Sequence, residues 1–314
     1  MKQEQKQPLG YDVDMRSKFI SITLFLIGTL PLLTSCSQPS SAVDSTNSKG
    51  GAAIVEPSSG ASQFQILIIA NDMQIGTPRI PIVIRDGQHM AQGIDQLSLT
   101  VFSISPEGAA ENAPVWEGSA TGYTDYAVPY WVFYPTIKTA GNYGIKADMI
   151  LSNGEAAEAQ FAVAIGEKAI APAVGDAGIP SESRTAFDTD TIKEISSDFQ
   201  NPDPDLYTLT LAQALANSRP TVISFSTPAY CKTAFCAPVL ETVKQVKAKH
   251  AEYDFIHIEI FDDFQELTTH QTIKDWQLQS EPWTYVLDAN GIVTGRFGGP
   301  VSVSELETHL GGGQ

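Results

Sequence analysis

Pro220-Thr-Val-Ile-Ser-Phe225, running into Ser226-Thr-Pro-Ala-Tyr-Cys-Lys-Thr-Ala-Phe-Cys-Ala-Pro-Val239, is the stretch on which the fold turns. The first six residues are a short apolar, β-branched run, which reads as a buried strand. From Lys232 to His250 the spacing of Leu240, Val243 and Val246 predicts a helix with one apolar face. Cys231 and Cys236 lie between strand and helix.

Outward from this stretch the pattern keeps alternating. Leu209 to Asn217 reads as a helix and Asp254-Phe-Ile-His-Ile-Glu-Ile260 as a second strand. Phe264 to Trp276 is predicted helical. Trp283-Thr-Tyr-Val-Leu287 and Ile292-Val-Thr-Gly-Arg-Phe297 are strands joined through Asp288-Ala-Asn-Gly291, and Val303 to Leu310 is a closing helix. A βαβ unit followed by a ββα unit predicts an α/β layer structure with a mixed sheet.

From Thr185 to Leu310 these features resemble the thioredoxin superfamily: a cysteine pair after the first strand, Glu281-Pro282 at a later strand entry, a hairpin, Gly298-Gly299 and a terminal helix. The resemblance implies that Pro282 is cis and packs against an active-site disulfide. More narrowly, the segment from Ser226 to Val239 is similar to bacterial lipoproteins with a thioredoxin-like domain and a C-x4-C pair. The thioredoxin-like order of elements implies thiol–disulfide exchange with a partner protein. By position Cys231 would sit at the helix N-terminus, where dipole and free N–H groups favour thiolate, and attack; Cys236 would resolve.

The sequence departs from that family in three places. Tyr230 stands where a Trp precedes the first cysteine, and Ser224 stands where a buried acid is common. Glu281 is a candidate replacement acid, raising a nearby thiol's pKa if ionised or taking a proton from Cys236. The spacing is also wide. Five helical steps would put the Cα atoms roughly 8–9 Å apart, beyond the limit of about 7 Å for a disulfide. Cys231 must therefore lie off the helix, or the first turn must unwind. A C-x4-C pair also occurs in some peroxiredoxins, for which Arg296 is the one late arginine to consider.

Two other readings use the same cysteines. In a copper chaperone of the Sco type, soft Cu(I) would take the two thiolates and a histidine, here His257 or His270. In the other, the disulfide is a structural staple and another surface binds the partner. No other cofactor is expected.

Before this domain, residues 64–166 carry strand-like runs: Gln65–Ile69, Ile80–Arg85, Leu97–Ser103, Tyr130–Tyr134, Tyr143–Met149 and Ala159–Ala164. Asp86-Gly87 and Asn153-Gly154 are hairpin signals. About a hundred residues of this kind predict an immunoglobulin-like β-sandwich. Trp131, Phe133 and Tyr134 are read there as core rather than as a binding surface. Residues 167–184, rich in Ala, Gly and Pro, form a linker, and residues 185–314 the thioredoxin-like domain.

Phe19 to Leu33, preceded by Arg16 and Lys18, is too short for a comfortable membrane span and reads as a secretory signal. Leu33-Thr34-Ser35-Cys36 resembles the bacterial lipobox, which implies cleavage before Cys36 and a diacylglycerol on its sulfur. Residues 1–36 are thus a lipoprotein signal, with the true start at Met1 or Met15. Residues 37–63, poor in large apolar side chains, are expected to form a flexible tether from the outer face of the cell membrane. Of three cysteines, lipidation would leave one close pair, Cys231 and Cys236, as suits an exported protein. The net charge of −17 argues against nucleic acid as a partner.

Overall fold

The structure, a computed structural model, describes residues 63–124 and 126–311. The signal segment, Cys36 and all but the last residue of the expected tether lie outside the described residues. The described residues all fall in one compact unit.

Its first part holds β1 (Phe64–Ile68), β2 (Ile80–Asp86), β3 (His89–Met90), β4 (Ile94–Ile104), β5 (Ala110–Ser119), β6 (Thr121–Tyr123), β7 (Tyr130–Phe133), β8 (Gly141–Leu151) and β9 (Ala156–Ile165). One sheet runs β1-β2-β7-β6, with β3 beside β2; the other runs β5-β4-β8-β9. All pairings are antiparallel. In immunoglobulin lettering these are A-B-E-D against C′-C-F-G, so the fold is an immunoglobulin-like β-sandwich.

Alternation builds the core: Tyr143, Ile145, Ala147 and Met149 point inward from β8 and meet Ile80, Ile82, Ile84, Trp131 and Phe133 of the facing sheet. At the start of β8 the Tyr143 hydroxyl donates to the Thr139 carbonyl at 2.5 Å, the tyrosine corner of such sandwiches. Gly87 and Gly154 adopt the positive φ that the two hairpin turns require. Strand β5 escapes a sequence reading because it is a sheet edge, largely exposed, and rich in Glu, Asn, Pro and Gly.

The second part contains α1 (Leu211–Ala216), β10 (Thr221–Ser226), α2 (Cys236–Lys247), β11 (Asp254–Glu259), β12 (Phe261–Asp263), β13 (Thr268–Thr269), α3 (Gln271–Asp275), β14 (Trp283–Leu287), β15 (Val293–Gly298) and α4 (Val303–Leu310). The main sheet runs β11-β10-β14-β15; β10 is parallel to β11 and antiparallel to β14, which is antiparallel to β15. Strand β10 is buried along its whole length because helices cover both faces. Val222 points to a cluster with Val239, Leu240, Val243 and Leu306 of α2 and α4. Ile223 and Phe225 point to the opposite cluster with Leu211, Ile273 and Trp276.

Two helix boundaries differ from the sequence expectation. Helix α2 starts at Cys236 rather than Lys232. The helix expected from Phe264 to Trp276 is mostly the β12–β13 hairpin, with only Gln271–Asp275 helical. There the Asp263 carboxylate accepts from the backbone N–H groups of Gln265 and Glu266 at 2.7 and 2.9 Å, and Leu267 takes φ 51°. Such local bonds offer the backbone an alternative to helix.

The Ala/Gly/Pro-rich connection is strapped along the second part. Gly175 N–H donates to Val293 O, Gly178 N–H to Gly291 O, and Trp276 Nε1 to Ile179 O, all within 3.0 Å.

A buried ion pair joins the two parts. Arg79 grips Glu305 of α4 with Nε at 2.7 Å and Nη2 at 2.8 Å, and donates to the carbonyls of Gly298 and Pro300. Tyr130 adds a bond to Glu305 at 2.7 Å. Burial pulls the Arg79 pKa down, but the adjacent Glu305 carboxylate outweighs it and holds it above its ordinary value. Arg296 pairs with Asp72, donates to Pro172 O and lies over the Trp283 ring. It thereby ties the linker and the sandwich to the second part.

Candidate functional site

The loop from Thr227 to Phe235 leaves β10 through a turn in which Tyr230 N–H donates to Thr227 O at 3.2 Å, and it stays non-helical up to Cys236. Cys231 and Cys236 are disulfide-bonded with S–S 2.06 Å and Cα–Cα 6.0 Å. Because Cys231 is off the helix, the distance conflict of a fully helical pair does not arise.

The helix N-terminus therefore belongs to Cys236, which corrects the expectation that it would serve Cys231. Cys236, not Cys231, is the residue at the free N–H groups of that terminus. Exposure separates the two residues in the opposite sense. Cys236 is fully buried, whereas Cys231 is half-buried, next to exposed Lys232, with its Sγ 3.3 Å from Thr233 Oγ1. An external thiol reaches Cys231 first.

Glu281-Pro282 is a cis peptide at the entry to β14, and the Pro282 carbonyl accepts from Gly299 N–H at 2.9 Å. Glu281 is half-buried, and that burial raises its carboxyl above the ordinary carboxylate range; Lys232, beside Cys231, opposes the shift. The chain thus brings Glu281 toward the cysteine loop.

A second acid, Glu259, was not picked out from the sequence. It ends β11 beside Ser226 and is 4% exposed. Its Oε1 accepts from Ser197 N–H at 2.5 Å. Burial pushes its pKa up to about 7 against the pull of its bonds from Ser197 and Thr227. The Ser197 hydroxyl in turn accepts from Ala229 N–H at 3.2 Å, so Glu259 holds the start of the cysteine loop through Ser197 and Thr227. A cavity of about 20 Å³ beside it is large enough for one water. The signal was present in Phe255-Ile-His-Ile-Glu259, where two ionisable residues interrupt a run that helices would cover on both faces.

Of the candidate copper ligands, His257 is buried with Nδ1 2.5 Å from the Tyr207 hydroxyl and Nε2 3.0 Å from Ser226 Oγ. Desolvation lowers its pKa to about 4. His270 is buried and its Nδ1 accepts from Thr272 N–H at the start of α3. Among the described residues no three His, Cys, Asp or Glu side chains stand at metal-ligand distance. Trp131 and Phe133 are core, and Tyr134 is half-exposed. Asp203 and Asp205 pair with Lys247.

Tyr230 forms the centre of an aromatic group at the mouth of the site. Its ring stacks on Phe264 at 5.3 Å and meets Phe199 and Phe261 edge-on. Phe199 is 43% exposed. A cleft of about 590 Å³ opens beside the loop, lined by Pro228, Ala237 and Pro238 and by Tyr126 of the sandwich.

No family model matches the chain, and no curated protein matches it. Among solved structures, CopC from Methylosinus trichosporium OB3b is 18% identical, with 31% of this chain and 84% of that chain covered and a TM-score of 0.22. The PmoD soluble domain from Methylocystis is 13% identical over 34% and 94% of the two chains, with a TM-score of 0.23. Murine CRIg is 6% identical over 32% and 97%, with a TM-score of 0.22. Scores of this size say nothing about this chain's chemistry.

Proposed function

We propose that this chain is an extracytoplasmic, lipid-anchored protein whose thioredoxin-like domain exchanges disulfides with a partner protein through Cys231 and Cys236. The observation that carries the reading is the unequal pair: a reachable Cys231 bonded to a fully buried Cys236 on a helix N-terminus. The element order β10-α2-β11-α3-β14-β15-α4, with cis Pro282 entering β14, supports the superfamily resemblance. An aromatic surface around Tyr230 suits docking of a polypeptide. The lipobox-like Leu33 to Cys36 supports the anchor.

In the reducing direction the Cys231 thiolate attacks a partner disulfide, bonding to one partner sulfur and expelling the other as thiolate. The Cys236 thiolate then attacks Cys231 Sγ, which closes the Cys231–Cys236 bond and releases the first partner sulfur. Two electrons pass from the pair to the partner; the reverse sequence oxidises the partner. Glu281, which Lys232 of the cysteine loop faces, is the acid available to hold the proton that Cys236 loses.

The test is trapping in the native host with Cys236→Ser, which leaves a mixed disulfide at Cys231; Cys231→Ser is the control. A partner trapped only by the first variant supports the reading. Failure to trap any, together with a disulfide potential below about −300 mV, shows a structural staple instead. Stoichiometric Cu(I) binding abolished by His257→Ala or His270→Ala would establish the copper reading.

A further inference from the structure

Phe235 stands between the two cysteines yet packs on the other domain. It is 5% exposed in a buried cluster whose other buried members, Val83, Tyr130 and Val132, all belong to the sandwich. Tyr126 covers the cluster's side. These residues lie on the outward face of β2 and β7, opposite the face that fills the sandwich core with Ile82, Ile84, Trp131 and Phe133. The outer face of a sandwich sheet is ordinarily polar; here it is an apolar socket with Phe235 seated in it.

The same residue fixes the helix. Phe235 is the N-cap of α2 without any side-chain capping bond, and its carbonyl accepts from Val239 N–H at 2.9 Å. Cys236 follows it directly, so the position of the ring sets the position of the first turn and of Cys236. Lys232, Thr233 and Ala234 are exposed and give the loop no comparable anchor.

We infer that the sandwich serves as a socket for Phe235 that keeps Cys236 out of reach, so that an incoming thiol meets only Cys231 Sγ. Attack there forms the bond from the incoming sulfur to Cys231 and expels Cys236 as thiolate beneath the N–H groups of α2. Phe235 is a positioning residue in this scheme, acting through Cys236. Its use in exchange rests on the thiol–disulfide reading; the shielding does not.

Timed alkylation of the reduced full chain with iodoacetamide, read by mass spectrometry after trypsin, tests this, because cleavage at Lys232 puts the two cysteines on different peptides. In the wild type Cys231 is expected to react at least about tenfold faster than Cys236, a ratio equivalent to about 1.4 kcal/mol. Phe235→Ala and the sandwich variant Val132→Ala should each raise the Cys236 rate about tenfold and leave Cys231 within about twofold, whereas Phe235→Leu should stay near wild type. Val132→Ala leaves the cysteine domain's sequence intact and decides the matter if Phe235→Ala does not fold. Equal rates in the wild type, or an unchanged Cys236 rate in folded Val132→Ala, would overturn the inference. Alkylation needs no partner, so its result is independent of partner trapping.

Discussion

Replacing Glu259 by Gln removes a buried charge while keeping the side chain's shape and its acceptor for Ser197 N–H. In the native chain desolvation raises this carboxyl from 4.5 to about 7. Between those values the folded state holds a proton that the unfolded state has released, so stability falls as pH rises through the window. At about 1.4 kcal/mol per pH unit the cost reaches about 3 kcal/mol above neutrality. His257 acts with the opposite sign: desolvation lowers it from 6.5 to about 4, so stability rises with pH across that range. The two nearly cancel from pH 4.5 to 6.5 in the wild type.

Glu259→Gln should unmask the His257 term. The variant should match the wild type at the acid end of the window and exceed it by about 3 kcal/mol above pH 7. For a chain of this size that difference corresponds to roughly 6–12 °C in Tm. Thermal and urea melts of both proteins from pH 4.5 to 8, with His257→Gln as the complementary variant, measure it. A stability difference between Glu259→Gln and wild type that does not change with pH would refute the reasoning.

Arg79→Ala should cost about 3–5 kcal/mol in urea unfolding, because it strands the buried Glu305 carboxylate, whereas replacing both partners with apolar residues should cost far less. Gly299→Ala should lose about 1–3 kcal/mol, since Gly299 has φ 76° and an added Cβ would lie 2.8 Å from Ile69 O; the same melts read it. Reducing the disulfide should remove about 2 kcal/mol, the loop-closure effect of a five-residue separation, measured as a shift in urea midpoint. Tyr230→Ala should slow exchange with a trapped protein partner about tenfold and leave the rate with glutathione unchanged, since the small thiol makes no use of the aromatic surface.

Much of the architecture was legible because it rests on local pattern. The short β-branched run at Val222–Phe225, the alternation in Tyr143–Met149 and the turn residues at Gly87, Gly154 and Gly291 each follow from period and backbone freedom. The hairpin at Phe261–Thr269 was not legible as such: its apolar spacing suits a helix, and only the Asp263 side-chain bonds tip it. Tyr130-Trp-Val-Phe133 did carry an unread hint, since four consecutive buried side chains mean that both faces of a sandwich strand are covered.

The cysteine pair divides along the same line. Sequence alone determined that Cys231 and Cys236 lie between a buried strand and a helix, and that a disulfide between them cannot form within a continuous helix through both, because rise and rotation per residue are fixed by the backbone. Only the tertiary structure decided where the helix starts, which sulfur is reachable, and which acid lies beneath the loop. Those depend on Phe235 seated against Val83 and Val132, and on Glu259 meeting Ser197 and Thr227, contacts between residues far apart in the chain. No local period encodes them; burial of one domain against the other does.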